Sequence, residues 1–190
     1  MKVAIFGGTF DPIHNAHLAI AREAMRRFEL DEVLLIPAGN PPHKSFRDGA
    51  GYEDRYRMVE LACQREPAFH PSRLEEGQHR SYSILTIEKL RRERPDDKFF
   101  FLIGADAFAD IETWRRWRDV IAAVEFIVVT RPGHSYDVPP GAVVRTLDTV
   151  SLDVSSSAIR AAIGSGVEPH GLPDPVRRYI QDRCLYRASL

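Results

Sequence analysis

A doubly wound α/β fold, a parallel sheet covered by helices on both faces, is predicted by three observations. Short apolar runs alternate with helical patterns from the first residue to beyond the middle of the chain. Strand, helix, strand, helix in that order implies parallel strands joined by crossovers. The 190 residues contain no internal repeat, low-complexity segment or linker, so one domain spans residues 1–190, with a helical portion over about 155–190.

The elements follow in order. Val3-Ala4-Ile5-Phe6 continues Lys2 as a buried strand, and His17 to Phe28 reads as an amphipathic helix. Glu32 to Ile36 is a second strand, followed by a loop rich in proline and glycine from Pro37 to Gly51. A helix is expected from about Arg55 to Arg65 with Asp54 as its N-cap, and another from about Ser83 to Arg94, stopped by Pro95. Lys98–Ile103 and Glu125–Thr130 are dense in Phe, Ile and Val, the composition of central strands. Short helices after Ser155 and after Asp174 close the chain. In such a sheet a ligand lies outside the carboxyl ends of the strands, where loops and helix N-termini converge.

Composition narrows the classes. Lysine and arginine number 26 against 27 acidic residues, a net charge of -1, whereas a general nucleic-acid binder carries a basic excess. Phosphate-binding charge must therefore be local, and the arginines at Arg91, Arg92, Arg94, Arg115, Arg116 and Arg118 read as solvated helix faces. Phe99 to Ile103, the longest apolar run, is far below membrane-spanning length, and the first strand has no features of a signal peptide. Cys63 and Cys184 lie far apart in helical patterns, where cysteine is usually a small buried hydrophobe. A soluble, unprocessed, cytoplasmic protein is expected, its oligomeric state left open, a homo-oligomer included.

The chemistry concentrates in the loop after the first strand, Gly7-Gly8-Thr9-Phe10-Asp11-Pro12-Ile13-His14-Asn15-Ala16-His17. Two glycines let the main chain turn tightly and approach a ligand. The following helix aims its unpaired N–H groups at that loop, which makes an anion site. His14 and His17 share a face of the first turn, where two imidazoles can donate hydrogen bonds to a phosphoryl group as charge shifts onto it. Taken singly, the glycines also read as a plain tight turn and each histidine as a cap or surface residue. A zinc site would need further ligands, which the sequence does not supply nearby.

The segment Gly7 to His17 resembles the signature of the nucleotidylyltransferase superfamily, a His-x-x-His pair after the first strand. Ala16 stands where that family usually has glycine, and alanine is nearly as small. Asn40-Pro41-Pro42-His43-Lys44 is similar to a loop of the bacterial nicotinate-mononucleotide adenylyltransferases. Arg55 with Met58, Ser81-Tyr82-Ser83, Gly104-Ala105-Asp106, Trp114 and Arg131-Pro132-Gly133 match in that branch's order. Near the end, Val154-Ser155-Ser156-Ser157-Ala158-Ile159-Arg160 is similar to its Ile-Ser-Ser-Thr-x-Ile-Arg. Glu75 and Glu76 fall one residue off an acidic position of the branch and carry no assignment.

The resemblance implies a Rossmann-like nucleotidyltransferase fold and adenylyl transfer from ATP to nicotinate mononucleotide, with Mg²⁺ carried by the ATP phosphates and no metal ligands from the protein. It implies catalytic roles for His14, His17, Lys44 and Arg160. ATP would meet Gly7, Gly8, Thr9, Phe10, His14, His17, Gly104, Asp106, Ser156, Ser157 and Arg160. Nicotinate mononucleotide would meet Thr9, Lys44, Tyr82, Ser83 and Trp114, with the two aromatic rings stacking on the flat pyridine. Trp117 reads as packing.

Overall fold

A computed structural model describes residues 1–39, 49–77, 81–130, 136–148 and 154–187. Its strands are β1 (Lys2–Gly8), β2 (Glu32–Pro37), β3 (Phe69–Pro71), β4 (Lys98–Gly104), β5 (Glu125–Thr130) and β6 (Val144–Asp148). The helices are α1 (Asn15–Phe28), α2 (Tyr52–Cys63), α3 (Ser83–Glu93), α4 (Ala105–Ala109), α5 (Trp117–Ala123), α6 (Ser156–Gly164) and α7 (Asp174–Asp182). The strands form one sheet in the order β3-β2-β1-β4-β5-β6, every neighbouring pair parallel. The expected doubly wound architecture is therefore the observed one.

Alternation along the strands divides the core into two layers. Val3 and Ile5 of β1, with Phe99, Phe101 and Ile103 of β4, pack against Ile84, Ile87 and Leu90 of α3 and Val120 and Ile121 of α5. Ala4 and Phe6, with Phe100 and Leu102, meet Leu18, Ala21 and Ala24 of α1, Met58 and Val59 of α2, and Val176 and Ile180 of α7. In α3 the buried positions Ile84, Thr86, Ile87 and Leu90 fall on one side of the helix. Arg26 and Arg27 in the last turn of α1 complement the negative end of its dipole, and Glu29 ends it with a left-handed φ of 52°.

Several expectations need correction. The helix α2 starts three residues before Arg55 and is capped by Gly51, not Asp54. Asp54 instead accepts hydrogen bonds from Tyr179 at 2.8 Å and Arg183 at 3.4 Å, joining α2 to α7. Cys63 is buried at the end of α2 as expected, but Cys184 is exposed beyond α7, at a left-handed φ of 52°. β3, β6, α4, α5 and a 3-10 turn at Ile111–Thr113 were not among the expected elements. Among the described residues, no helix is long and apolar enough to cross a membrane.

The sheet positions the site. β1 runs next to β2 on one side and β4 on the other, so the strand order reverses between β1 and β4. Gly8 is level with Pro37, and Gly104 ends the neighbouring strand, so three loops open at one edge of the sheet beside this crevice.

Candidate active site

The loop leaving β1 is held from below by a buried cation. Arg55 is 1% exposed, and its guanidinium donates to the carbonyls of Thr9 at 2.8 Å, Ala38 at 2.8 Å and Ala50 at 3.3 Å. These carbonyls belong to the first loop, the residue after β2 and the residue before α2's cap. One side chain thus fixes three main-chain segments, and burial lowers its pKa. Gly8 has to lack a side chain, because a Cβ would stand 2.9 Å from the Phe10 ring. Phe10 itself takes a left-handed φ of 49°, and its ring turns into the core, edge-on to Phe6 at 5.6 Å and His17 at 5.1 Å. What Phe10 can offer a ligand is its main chain.

His14 occupies the N-cap of α1 and His17 its third position. Their rings stack at 3.7 Å with planes 24° apart. The His14 amide donates to His17 Nδ1 at 3.2 Å. That bond makes Nδ1 an acceptor and puts the proton of neutral His17 on Nε2, the nitrogen left to donate. Burial lowers the pKa of His14 to about 4 and that of His17 to about 3, the latter also through the charge of His14. Both rings are therefore neutral at pH 7 before a ligand arrives, and an anionic phosphate would raise both values.

The helix α6 is fastened to the same loop. Ser155 caps it, accepting from the Ala158 amide at 3.2 Å, as the sequence suggests. The Ser156 hydroxyl donates to the Pro12 carbonyl at 2.9 Å, so it is spent on joining α6 to the loop. Ser157 is exposed, its hydroxyl 3.1 Å from that of Ser155. Arg160 Nη1 donates to the Asp11 carbonyl at 2.7 Å and lies 3.8 Å from the Asp11 carboxylate. Among the described residues these are its hydrogen-bonding and ionic partners. A guanidinium carries five N–H donors, more than these contacts use.

Asp11 is the hub of this corner. Its Oδ1 accepts from the Ala50 amide at 3.0 Å and the Tyr186 hydroxyl at 2.7 Å. Neither Asp11 nor Tyr186 was singled out from the sequence. Their partners lie 39 and 175 positions away, and no local spacing announces such a contact.

On the other side of the crevice, Gly104 ends β4 and Asp106 sits exposed in the first turn of α4. Tyr82 caps α3 and Ser83 is its first residue. The Arg115 guanidinium lies 4.8 Å from the Tyr82 ring centre. Trp114 meets Phe101 edge-on at 5.7 Å, and Tyr82, Trp114 and Trp117 all pack against the same apolar layer. Lys44, with the rest of Asn40-Pro41-Pro42-His43-Lys44, and Arg131-Pro132-Gly133 lie outside the described residues.

Comparison with known proteins fits this geometry. The cytidylyltransferase-like family model matches residues 5–162. A probable nicotinate-nucleotide adenylyltransferase of Solibacter usitatus is 57% identical over 187 residues, covering 98% of this chain and 100% of that protein. One of Frankia alni is 43% identical, covering 96% of this chain and 98% of its own. The Plasmodium falciparum nicotinic acid mononucleotide adenylyltransferase complexed with NaAD superposes with a TM-score of 0.82 over 97% of each chain, at 18% identity, a likeness of fold. The chain belongs to the cytidylyltransferase-like family and, within it, to the nicotinate-nucleotide adenylyltransferases.

Proposed function

We propose that the chain transfers the adenylyl group of ATP to nicotinate mononucleotide, giving nicotinate adenine dinucleotide and pyrophosphate in NAD biosynthesis. The observation that carries this reading is the stacked His14–His17 pair beside Arg160, all fastened to one loop at the reversal point of the sheet. Relatives with this activity in their names support the branch.

An oxygen of the 5′-phosphate attacks the α-phosphorus of ATP. A new P–O bond forms there as the bond to the β-phosphate oxygen breaks, and pyrophosphate leaves with the electron pair. The attacking phosphate is already anionic, so no protein nucleophile is required. Catalysis is positioning and charge stabilisation. The Nε2–H of His17 and the ring of His14 meet the α-phosphate as its charge grows, and the main chain of Gly7, Gly8, Thr9 and Phe10 lines the approach. Arg160 and Lys44 hold the outer phosphates, with the N-terminus of α6 at Ser156 and Ser157 adding N–H donors. Gly104 and Asp106 meet the ATP ribose side. Magnesium would enter with ATP as part of the substrate and would offset charge on its phosphates.

For the second substrate, the main chain at Tyr82 and Ser83, where α3 begins, meets the nicotinate carboxylate, and Trp114 stacks on the pyridine ring with Tyr82. Thr9 lies between the two substrates. A reducing, ATP-supplied cytoplasm suits this reading, and both cysteines are free thiols.

Pyrophosphate release from ATP and Mg²⁺ with nicotinate mononucleotide, nicotinamide mononucleotide or phosphopantetheine, each alone, tests the proposal. Strong release with the nicotinate acid supports it, and release with phosphopantetheine alone overturns the branch. His17→Ala should cut turnover far more than folding stability. Undiminished turnover in that variant would remove the histidine's assigned role.

A further inference from the structure

Among the described residues Glu75 makes no hydrogen bond or ion pair with the groups assigned to phosphate, yet it is a carboxylate withdrawn to 8% exposure between β3 and α3. Thr86, on the buried side of α3, donates to its Oε1 at 2.9 Å. Burial pushes its pKa up, while hydrogen bonds from the Ser81 hydroxyl, Thr86 and the Gly39 amide favour the charged form. The Gly39 amide also donates to Ser81 Oγ, at 2.9 Å. Gly39 lies so close that a Cβ there would stand 2.0 Å from the Glu75 carbonyl oxygen.

Three segments therefore close on one carboxylate. Gly39 follows β2, five positions before Lys44 in the sequence. Ser81 immediately precedes Tyr82, the cap of α3. Thr86 anchors the carboxylate to the body of that helix. A carboxylate suits such a junction because it accepts from several donors at once and has none of its own. A glutamine of equal size offers one accepting oxygen and turns an NH₂ group toward another donor.

We propose that Glu75 is a positioning residue for the pyridine nucleotide. Acting through Ser81, it sets the first turn of α3 at Tyr82 and Ser83, and acting through Gly39 it ties that turn to the end of β2. This rests on the reading that α3's N-terminus receives the nicotinate acid. The groups assigned to ATP, at the first loop and α6, hang on Asp11 and Arg55 instead. Damage at Glu75 should thus separate the two substrates.

The test compares the full-length protein with Glu75→Gln and Ser81→Ala. It follows KM for each substrate by pyrophosphate release, and binding of nicotinate mononucleotide alone by calorimetry. Both variants should raise KM for nicotinate mononucleotide about tenfold and weaken its binding equally, the effect of one broken hydrogen bond at the site. KM for ATP should stay within about twofold. A rise in both KM values together, or a shift in the unfolding midpoint with neither KM changed, overturns the role. If Glu75→Gln does not fold, Ser81→Ala decides by the same split. A wild-type protein inactive with nicotinate mononucleotide overturns the underlying reading, and this role with it. A wild-type protein active with it and variants without a split overturn this role alone.

Discussion

Replacing Arg55 by methionine tests how the active-site loop is held. Methionine keeps the length and helix propensity of the side chain but removes the guanidinium. Three hydrogen bonds from a cation disappear, to the carbonyls of Thr9, Ala38 and Ala50. Bonds of this kind contribute about 1.5–3 kcal/mol each. Part of that is offset, because the variant no longer buries a charge, and the part-buried Thr9 and Ala38 carbonyls can regain water. The carbonyl of buried Ala50 is left without the guanidinium, at about 1–3 kcal/mol. The net loss should be about 3 kcal/mol, read from urea unfolding by circular dichroism with linear extrapolation. Since Thr9 loses its anchor, kcat/KM should fall about a hundredfold, as expected for a misplacement of about 1 Å. A loss below about 1 kcal/mol with unchanged kcat/KM would refute the view that this guanidinium organises the loop.

Further outcomes follow from the same corner. His14 and His17 have folded pKa values of about 4 and about 3 against 6.5 for the free side chain. The folded protein binds fewer protons than the unfolded chain between those limits, so their contribution is complete above about pH 6.5 and drains away as pH falls toward 4 and 3. At pH 5.5 the loss is about 1.4 kcal/mol per histidine, a figure insensitive to how far below 5 the folded values lie. Urea midpoints at pH 8 and 5.5 should diverge less in a His14→Gln/His17→Gln variant than in wild type, and equal divergence would contradict the burial argument. Tyr186→Phe removes the 2.7 Å bond to Asp11 and should lower stability by about 1 kcal/mol and raise KM for ATP by loosening Arg160. A variant with unaltered ATP kinetics would show that the C-terminal segment is only packing. Gly171 has a φ of +81°, and a Cβ there would stand 2.7 Å from Val154. Gly171→Ala should therefore destabilise by about 1–3 kcal/mol in thermal melts, and a neutral result would refute the crowding.

The central strands were legible because burial on both faces demands uninterrupted apolar runs, as in Phe99 to Ile103. The edge strands were not. Phe69-His70-Pro71 is three residues long and contains a proline, and β6 buries Leu147 while Arg145, Thr146 and Asp148 are exposed. The cap of α2 was misread because Asp54 has the chemistry of an N-cap but serves Tyr179, 125 positions away. The histidine pair and the serine-led helix at Arg160 were visible as local spacings, and the fold does fasten α6 to the first loop. Asp11, Arg55, Glu75 and Tyr186 join distant segments, often through main-chain atoms, and such contacts leave no periodicity to read.

The bond between Tyr186 and Asp11 also bears on how the molecule is made. At about 5–20 residues per second, some 9–35 s separate the synthesis of these two partners across 175 positions. The central strand β1 waits as well, since its neighbour β4 begins at Lys98, and until then one of its edges has no native mate. A ribosome-bound chain thus holds both histidines early but completes the hydrogen-bonded corner around Asp11 only once Tyr186 has been made. Messages or degradation products that stop short of Tyr186 would yield a sheet able to form and a first loop without its hydrogen bond from Tyr186.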